Sequence, residues 1–321
     1  MDIDHSRLDD AARAGWLYFV AGRTQDEIAR QLGVSRATAQ RLVALCRSEG
    51  LISFRLEHRI SACMELARRL AAAFALRFCE VAPSDPAAPL SVAGIAERAG
   101  QLMEDTLRAD TPAIIGLGTG RAVRAAVEHV VPMDRANHQL VSLVGNISAD
   151  GSASRFDATA RLADLTRARH YPMPLPFLAP SEAERARLQR IDPISRVRDL
   201  AATTDLRLVG IGQMDEEAQL LVDGFVTRHE LIELIRLGAV GEVTGWAFDA
   251  KGRILKGGTN KRVTSVPHPP ARKDALIVAA AIGPAKVAAI RAAVRGGLVN
   301  GLVTDEATAT LLLTEGGLSA G

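Results

Sequence analysis

The window Gln25–Ala44, QDEIARQLGVSRATAQRLVA, constrains this chain more than any other stretch. Thr24 precedes it with Glu27 three residues on, the spacing of a capping box, and Ser35 is placed to cap a second helix after Gly33-Val34. Two short helices meeting at a glycine leave little freedom. A small residue, Ala29, must sit where they cross, Gly33 must make the turn, and Ile28, Leu32, Val34, Ala39 and Leu42 fall at the shared core. The pattern is that of a helix-turn-helix. The second helix leaves Ser35, Arg36, Thr38, Gln40 and Arg41 for solvent. Arginine and glutamine contact base edges in a major groove, while serine, threonine and further arginine hold phosphates. These five residues and Thr24 are therefore the expected DNA contacts. An ordinary helical hairpin in an enzyme's accessory domain is the alternative reading of the same pattern.

The flanks extend a helical domain. Asp9–Val20 reads as a helix stopped by Gly22, the capped helix after Ser35 runs to about Glu49 before Gly50, and Leu51–Phe54 reads as a short strand. Arg55, His58 and Arg59 follow, read as surface charges in preference to a wing touching the DNA backbone. His58–Phe78 reads as a longer amphipathic helix that joins two halves or pairs chains. Net charge is only +2, so its distribution carries more information. All five lysines lie in the last quarter, and Arg23–Arg69 holds nine arginines against five acids. That local excess suits phosphate.

Beyond Val81 the rhythm changes. Apolar runs at Ala113–Gly116, Leu140–Val144, Leu206–Ile211, Val243–Phe248, Ala275–Ile282 and Leu298–Thr304 alternate with helical stretches such as Arg121–Val130, Asp157–Thr166 and Pro284–Val294. Buried runs between helices imply a mainly parallel sheet covered on both faces, hence an α/β domain. YPMPLPFLAP, Tyr171–Pro180, has four prolines and must be extended. The expected organisation is 1–57 for the helix-turn-helix domain, 58–80 for a linking or dimerising helix, and 81–321 for the α/β domain.

Several classes are excluded. The longest apolar stretch, Ala275–Ile282, is too short to span a bilayer, and the start, MDIDHSRLDD, is no signal peptide. Cys46, Cys63 and Cys79 form no CxxC pair, which suits a reducing cytosol and argues against a zinc site or disulfide framework. The expected location is cytoplasmic, with no metal and no cofactor.

Four stretches of the α/β part can gather a ligand. Gly116-Leu117-Gly118-Thr119-Gly120-Arg121 follows a strand and opens a helix, where glycines let backbone N–H groups approach an anion. It is no Walker loop, and Arg121 replaces the third glycine of a dinucleotide fingerprint. Val141–Ser148 runs into a polar glycine turn, with Arg155 and Asp157 just beyond. Gly238–Gly252 carries Glu242, and Ile277–Lys286 is a buried strand, a Gly-Pro turn and a helix start bearing Lys286. In an open parallel sheet such loops line one edge and form the cleft.

The chain resembles the SorC family of bacterial sugar-responsive transcriptional regulators along nearly its whole length. The likeness runs from GRTQDEIARQLGVSRATAQRLV through GLGTGRAV, SLVGN, DLRLVGIGQMD and GAVGEVTGWAFDAKG to VAAAIGPAKVAAIRAAVRGGLVNGLVTDEATATLLL, the most specific block. The resemblance implies an N-terminal DNA-binding domain. It also implies an effector domain similar in fold to sugar-phosphate isomerases and deaminases, binding a sugar, polyol or sugar phosphate. It further implies dimers or tetramers on operator DNA of a carbohydrate or polyol catabolic operon. By motif, Gly116, Gly118, Thr119 and Gly120 would form the anion loop, and Asn146, Arg155 and Asp157 the second loop. Glu242 and Lys286 would meet the ligand from late loops, with Asp215 and the Thr304-Asp305-Glu306 turn nearby. Gly145-Asn146 stands where many relatives carry a glycine pair, and Gly120 is followed by Arg121 where some sugar-phosphate binders carry paired threonines. Free and phosphorylated ligands therefore both remain open. The competing reading is a sugar-phosphate isomerase or deaminase with Asp215, Glu242 and Lys286 as its acid–base groups.

Overall fold

The computed structural model describes residues 2–52, 60–145, 147, 151–152, 157–270, 272 and 274–314. The chain divides into two compact units, Met1–His58 and Arg59–Gly321.

The first unit is built from α1 (Asp2–Gly15), α2 (Gln25–Leu32) and α3 (Arg36–Ser48), with one turn of π-helix at Trp16–Val20. Helix α1 is longer than the pattern suggests, because its first turn is polar and carries no periodic apolar signal. Its Ala11 and Ala14, with Leu17 beyond it, pack with Ile28, Ala29, Ala39 and Leu42 into one core. Gly15 lies where α1 passes α3: a β-carbon there would fall 2.1 Å from Cys46 Sγ. Leu51 and Ile52 form a bend, and the rest of the expected strand, with Arg55, His58 and Arg59, lies outside the described residues.

The second unit opens with α4 (Ser61–Phe74), shorter than the His58–Phe78 helix expected. Ala75 ends it in the left-handed region at φ +52°, and Arg77 N–H donates to Asn300 O, drawing the chain into the sheet. Phe78 therefore begins a strand, β1 (Phe78–Ala82). Then come α5 (Ala93–Arg108), β2 (Ile114–Leu117), α6 (Arg121–Glu128), β3 (Gln139–Ser142), α7 (Thr159–Thr166) and β4 (Arg169–Tyr171). Next are α8 (Glu182–Leu188), α9 (Asp192–Ala202), β5 (Leu206–Val209), β6 (Gly212–Gln213), α10 (Gln219–Val222) and α11 (Arg228–Arg236). The chain continues through β7 (Ala239–Val243), β8 (Trp246–Asp249), β9 (Leu276–Ala280), α12 (Val287–Arg295), β10 (Gly301–Asp305) and α13 (Glu306–Thr314).

Seven strands form one sheet in the order β1-β10-β9-β5-β2-β3-β4, each neighbouring pair parallel. Alternation along each strand divides two cores. Leu206 and Leu208 meet α5 and α6 on one face, while Val209, Val141 and Ala279 meet α4, α9 and α12 on the other. This is the α/β sheet covered on both faces that the alternating runs required. The Val243–Phe248 run departs from that expectation. It is a hairpin, β7 turning into β8, and with β6 it forms a separate three-stranded antiparallel sheet. Tyr171–Pro180 is extended, and its alternate residues Met173, Leu175, Phe177 and Ala179 are buried.

The order places a switch in the middle of the sheet. From β2 the chain moves to β3 and β4 at one edge, whereas from β5 it moves to β9 and β10 toward the other. Neighbouring strands whose successors diverge leave a crevice beyond their carboxyl ends, the usual ligand position in an open α/β sheet.

Candidate functional site

The crevice is closed below by glycines. Gly118 leaves β2 with its N–H donating to Leu208 O at 2.9 Å. A β-carbon on Gly118 would lie 3.3 Å from Val209 Cα and 3.4 Å from Thr244 Cγ2, so glycine keeps a tightly packed loop free of a close contact. Gly120 turns the chain at φ +124° into α6 and offers no side-chain cap. Backbone N–H groups at a helix start without such a cap favour an anion. Gly210, after β5, lies 3.6 Å from Thr119 O when its β-carbon is built, so the two loops abut. Gly116 differs from its expected role. It belongs to β2 itself, and its missing side chain admits Leu143 and Thr204.

Two charged residues enter from the far side. Glu242 lies on strand β7, not on a loop as expected, opposite Gly212 of β6, whose lack of a side chain leaves space for the carboxylate. Its Oε2 accepts from Gly245 N at 2.8 Å. Burial pushes its pKa up, opposed by that hydrogen bond and by the charge of Lys286. Lys286 ends the Gly283-Pro284 turn after β9 and stands at the N-cap of α12. Burial pushes its pKa down, Glu242 opposes the shift, and Arg121 adds to it. Glu242, Lys286 and Arg121 therefore share one field around the crevice, with one positive charge in excess. In the sequence Arg121 stands out only as a departure from a fingerprint.

Other expected site residues take supporting positions. Asp157 Oδ1 accepts from Thr159 N at 3.0 Å and so opens α7. Asp215 Oδ1 accepts from Glu217 N at 2.9 Å, shaping the turn after β6. The expected Thr304-Asp305-Glu306 turn is a strand end and a helix start: Thr304 and Asp305 close β10, and Glu306 opens α13. Asp305 accepts from Ser84 Oγ at 2.7 Å and from Thr308 N at 3.1 Å, and the Thr308 hydroxyl holds Gly283 N at 2.9 Å. It buttresses the lysine loop. Asn146 and Arg155 lie outside the described residues.

The first unit presents a second surface. Thr24 caps α2 in a complete capping box with Glu27, and Ser35 caps α3 by accepting from Thr38 N at 3.1 Å. Gly33 makes the turn at φ +66°. Thr38 Oγ1 also accepts from Arg41 Nη2 at 3.1 Å, and Arg36 pairs with Asp26 at 3.3 Å. Thr24 and Ser35 thus hold the motif's own backbone, and the Thr38 hydroxyl is taken up by the Ser35 hydroxyl and the Arg41 guanidinium. Arg36, Gln40 and Arg41 stand on the exposed side of α3, joined by Ala37, Ala44 and Arg47, which no sequence signal singles out. Among the described residues no helix is long and apolar enough to cross a membrane.

Comparison with known proteins adds a family and a fold. The family model described as "Putative sugar-binding domain" matches residues 58–314. The erythritol catabolism regulatory protein EryD of Brucella abortus is 34% identical over 303 residues, covering 94% of this chain and 96% of the relative. The transcriptional regulator LsrR of Klebsiella pneumoniae is 31% identical over 311 residues, covering 94% and 92%. Among solved structures, the full-length sorbitol operon regulator SorC from Klebsiella pneumoniae has a TM-score of 0.71 at 23% identity, covering 96% of this chain and 99% of that one. A DeoR family transcriptional regulator from Listeria monocytogenes has a TM-score of 0.70 at 19% identity, over 79% of this chain and all of its own.

Proposed function

This chain belongs to the SorC-type family of transcriptional regulators with a sugar-binding domain, and we propose that its crevice ligand sets its affinity for operator DNA. The α2–α3 unit reads the operator through Gln40 and Arg41. The second unit binds a small sugar, polyol or sugar phosphate between the Gly118–Gly120 loop, Glu242 and Lys286. One observation carries the reading: a half-buried lysine is coupled to a half-buried carboxylate and to Arg121, the residue that follows the glycine loop at the switch point of the sheet. The loop's N–H groups and the ammonium suit a phosphate or hydroxyl oxygen, and the carboxylate suits the hydroxyls of a polyol.

A relative 34% identical bears a name that refers to erythritol catabolism, so a four-carbon polyol or its phosphate is the leading effector class. The regulator reading, not the enzyme one, suits the carboxylates as they stand. Glu242 is engaged by Gly245 N–H and faces Lys286, and Asp215 uses an oxygen to hold its own turn. One helix-turn-helix gives a small contact, so the protein acts as a dimer or tetramer reading half-sites about 10 base pairs apart or a multiple of that. It works in the cytoplasm on a carbohydrate or polyol catabolic operon. The test is fluorescence anisotropy of labelled DNA from upstream of its own gene, titrated with protein with and without erythritol or erythritol 4-phosphate. A change in operator affinity of fivefold or more, about 1 kcal/mol, supports the reading, and identical isotherms refute it.

A further inference from the structure

One residue beside the anion loop breaks two local rules at once. Thr244 and Gly245 are the two central residues of the β7–β8 hairpin, and both have positive φ, +49° and +86°. Such a turn favours Asn-Gly or Gly-Gly, because both positions need the left-handed region. Gly245 meets this freely, whereas a β-branched residue there is an outlier. The second rule concerns the hydroxyl. Thr244 is 6% exposed, and its Oγ1 is buried with no hydrogen-bond partner among the described residues. An unpartnered buried hydroxyl opposes folding, so it calls for an explanation outside folding.

Its location supplies one. The Thr244 methyl lies 3.4 Å from where Gly118 would carry a β-carbon, so the residue stands beside the anion loop with its methyl toward it. Glu242, two residues earlier, clamps the same turn through Gly245 N–H. Asparagine or glycine would relieve the strain, and valine would remove the orphaned hydroxyl. Threonine keeps both faults, directly against the loop that approaches a ligand.

We propose that the Thr244 hydroxyl is the contact that recognises a hydroxyl of the effector. A threonine hydroxyl both donates and accepts, as a polyol hydroxyl does, so the pair is matched in either direction. The hydroxyl is buried, so meeting a ligand oxygen requires the turn to shift. The inference rests on the crevice being the effector site. It adds the residue that selects a polyhydroxylated ligand over a bare anion.

The experiment is isothermal titration of the full-length protein with erythritol and with erythritol 4-phosphate, alongside pentitols and hexitols. Four proteins are compared: wild type, Thr244→Val, Thr244→Ser and Lys286→Met. Thr244→Val, which keeps the shape and removes the hydroxyl, is expected to weaken binding about tenfold or more, while Thr244→Ser stays within about threefold. The ligand-free Thr244→Val protein should melt no lower than wild type. If Thr244→Val binds like wild type while Lys286→Met does not, Thr244 is no contact and the crevice reading survives. If neither variant weakens binding, both fall together. A drop of several degrees in the Tm of ligand-free Thr244→Val shows an internal partner for the hydroxyl and overturns the inference. A wild-type protein that binds none of these compounds overturns both.

Discussion

Replacing Lys286 with methionine separates ligand binding from folding. The ammonium lies in the field of Glu242 and Arg121, and burial already pushes its pKa down, so its charge opposes folding in the absence of ligand. Methionine fills a similar volume without that burden. The wild-type protein at a ligand concentration of about 100 times Kd gains about 2.7 kcal/mol of stability by mass action. The unit from Arg59 to Gly321 is about 260 residues, for which about 1 kcal/mol corresponds to a Tm shift of about 2–4 °C. Saturating ligand should therefore raise its Tm by about 5–10 °C. A charge-assisted hydrogen bond is worth about 1.5–3 kcal/mol, a factor of about 12 to 150 in affinity. At the same concentration Lys286→Met retains only about 0.3–1.3 kcal/mol, a shift of about 1–5 °C. Differential scanning fluorimetry with and without ligand measures both quantities, and operator anisotropy on the same samples reports whether the ligand response disappears. A variant with the full wild-type shift refutes the assignment of Lys286. A variant that melts well below wild type without ligand shows a structural lysine.

Three further outcomes test the rest. Replacing both Gln40 and Arg41 with alanine should weaken operator binding by about 1–3 kcal/mol for each base that the pair reads, leaving the ligand-induced Tm shift intact; unchanged anisotropy removes them as base readers. Gly15→Ala gains about 1 kcal/mol of helix propensity but drives a β-carbon to 2.1 Å from Cys46 Sγ, an overpacking cost of about 1–3 kcal/mol. Thermal melts should show the first unit destabilised and Gly15→Ala/Cys46→Ala partly restored; a stabilised single variant would contradict the α1–α3 crossing. Glu242→Gln should raise the Tm of ligand-free protein at pH 8. Because burial raises this carboxyl's folded-state pKa, its stability is present below the unfolded value and lost as pH rises through the folded one. The advantage of the variant should fade below about pH 4, where the wild-type carboxyl is also neutral, and equal melting across that range would show Glu242 to be fully solvated.

The helix-turn-helix was legible because every signal in it is local. Thr24 meets Glu27 and Ser35 meets Thr38 three residues apart, and Gly33 turns where its freedom is needed. The sheet was legible in kind, because apolar runs between helices admit few alternatives. Its departures follow from contacts distant in sequence. Phe78 becomes a strand because β1 pairs with β10, more than two hundred residues on, and Arg169–Tyr171 becomes one by lying beside β3. The Gly238–Gly252 stretch reads as one strand because alternation does not reveal a two-residue turn of the wrong composition. Thr244-Gly245 lacks the asparagine that would announce the hairpin. That same misfit is the available signal for the site: a β-branched residue before glycine, two positions after Glu242. The convergence of Arg121, Glu242 and Lys286 is visible in the sequence only as separate loops, since strand order is needed to place β2, β5 and β9 side by side.

The two units differ in how they use their residues, and the difference bears on mechanism. In the first, caps, turn and core obey the local rules, as suits a rigid surface that presents Gln40 and Arg41 in one geometry. In the second, departures from those rules are spread through the unit, and three of them lie together at the crevice: a carboxylate with raised pKa, a lysine with lowered pKa, and a threonine at positive φ whose hydroxyl has no partner among the described residues. A ligand changes operator affinity only by as much as it prefers one state of the protein over another. Typical couplings of 5- to 150-fold need about 1–3 kcal/mol. Satisfying one orphaned buried hydroxyl returns about 1–3 kcal/mol, and relieving one strained backbone residue returns about as much. A contact between Thr244 and the effector made in one state of the protein and not in the other would supply a coupling of that size.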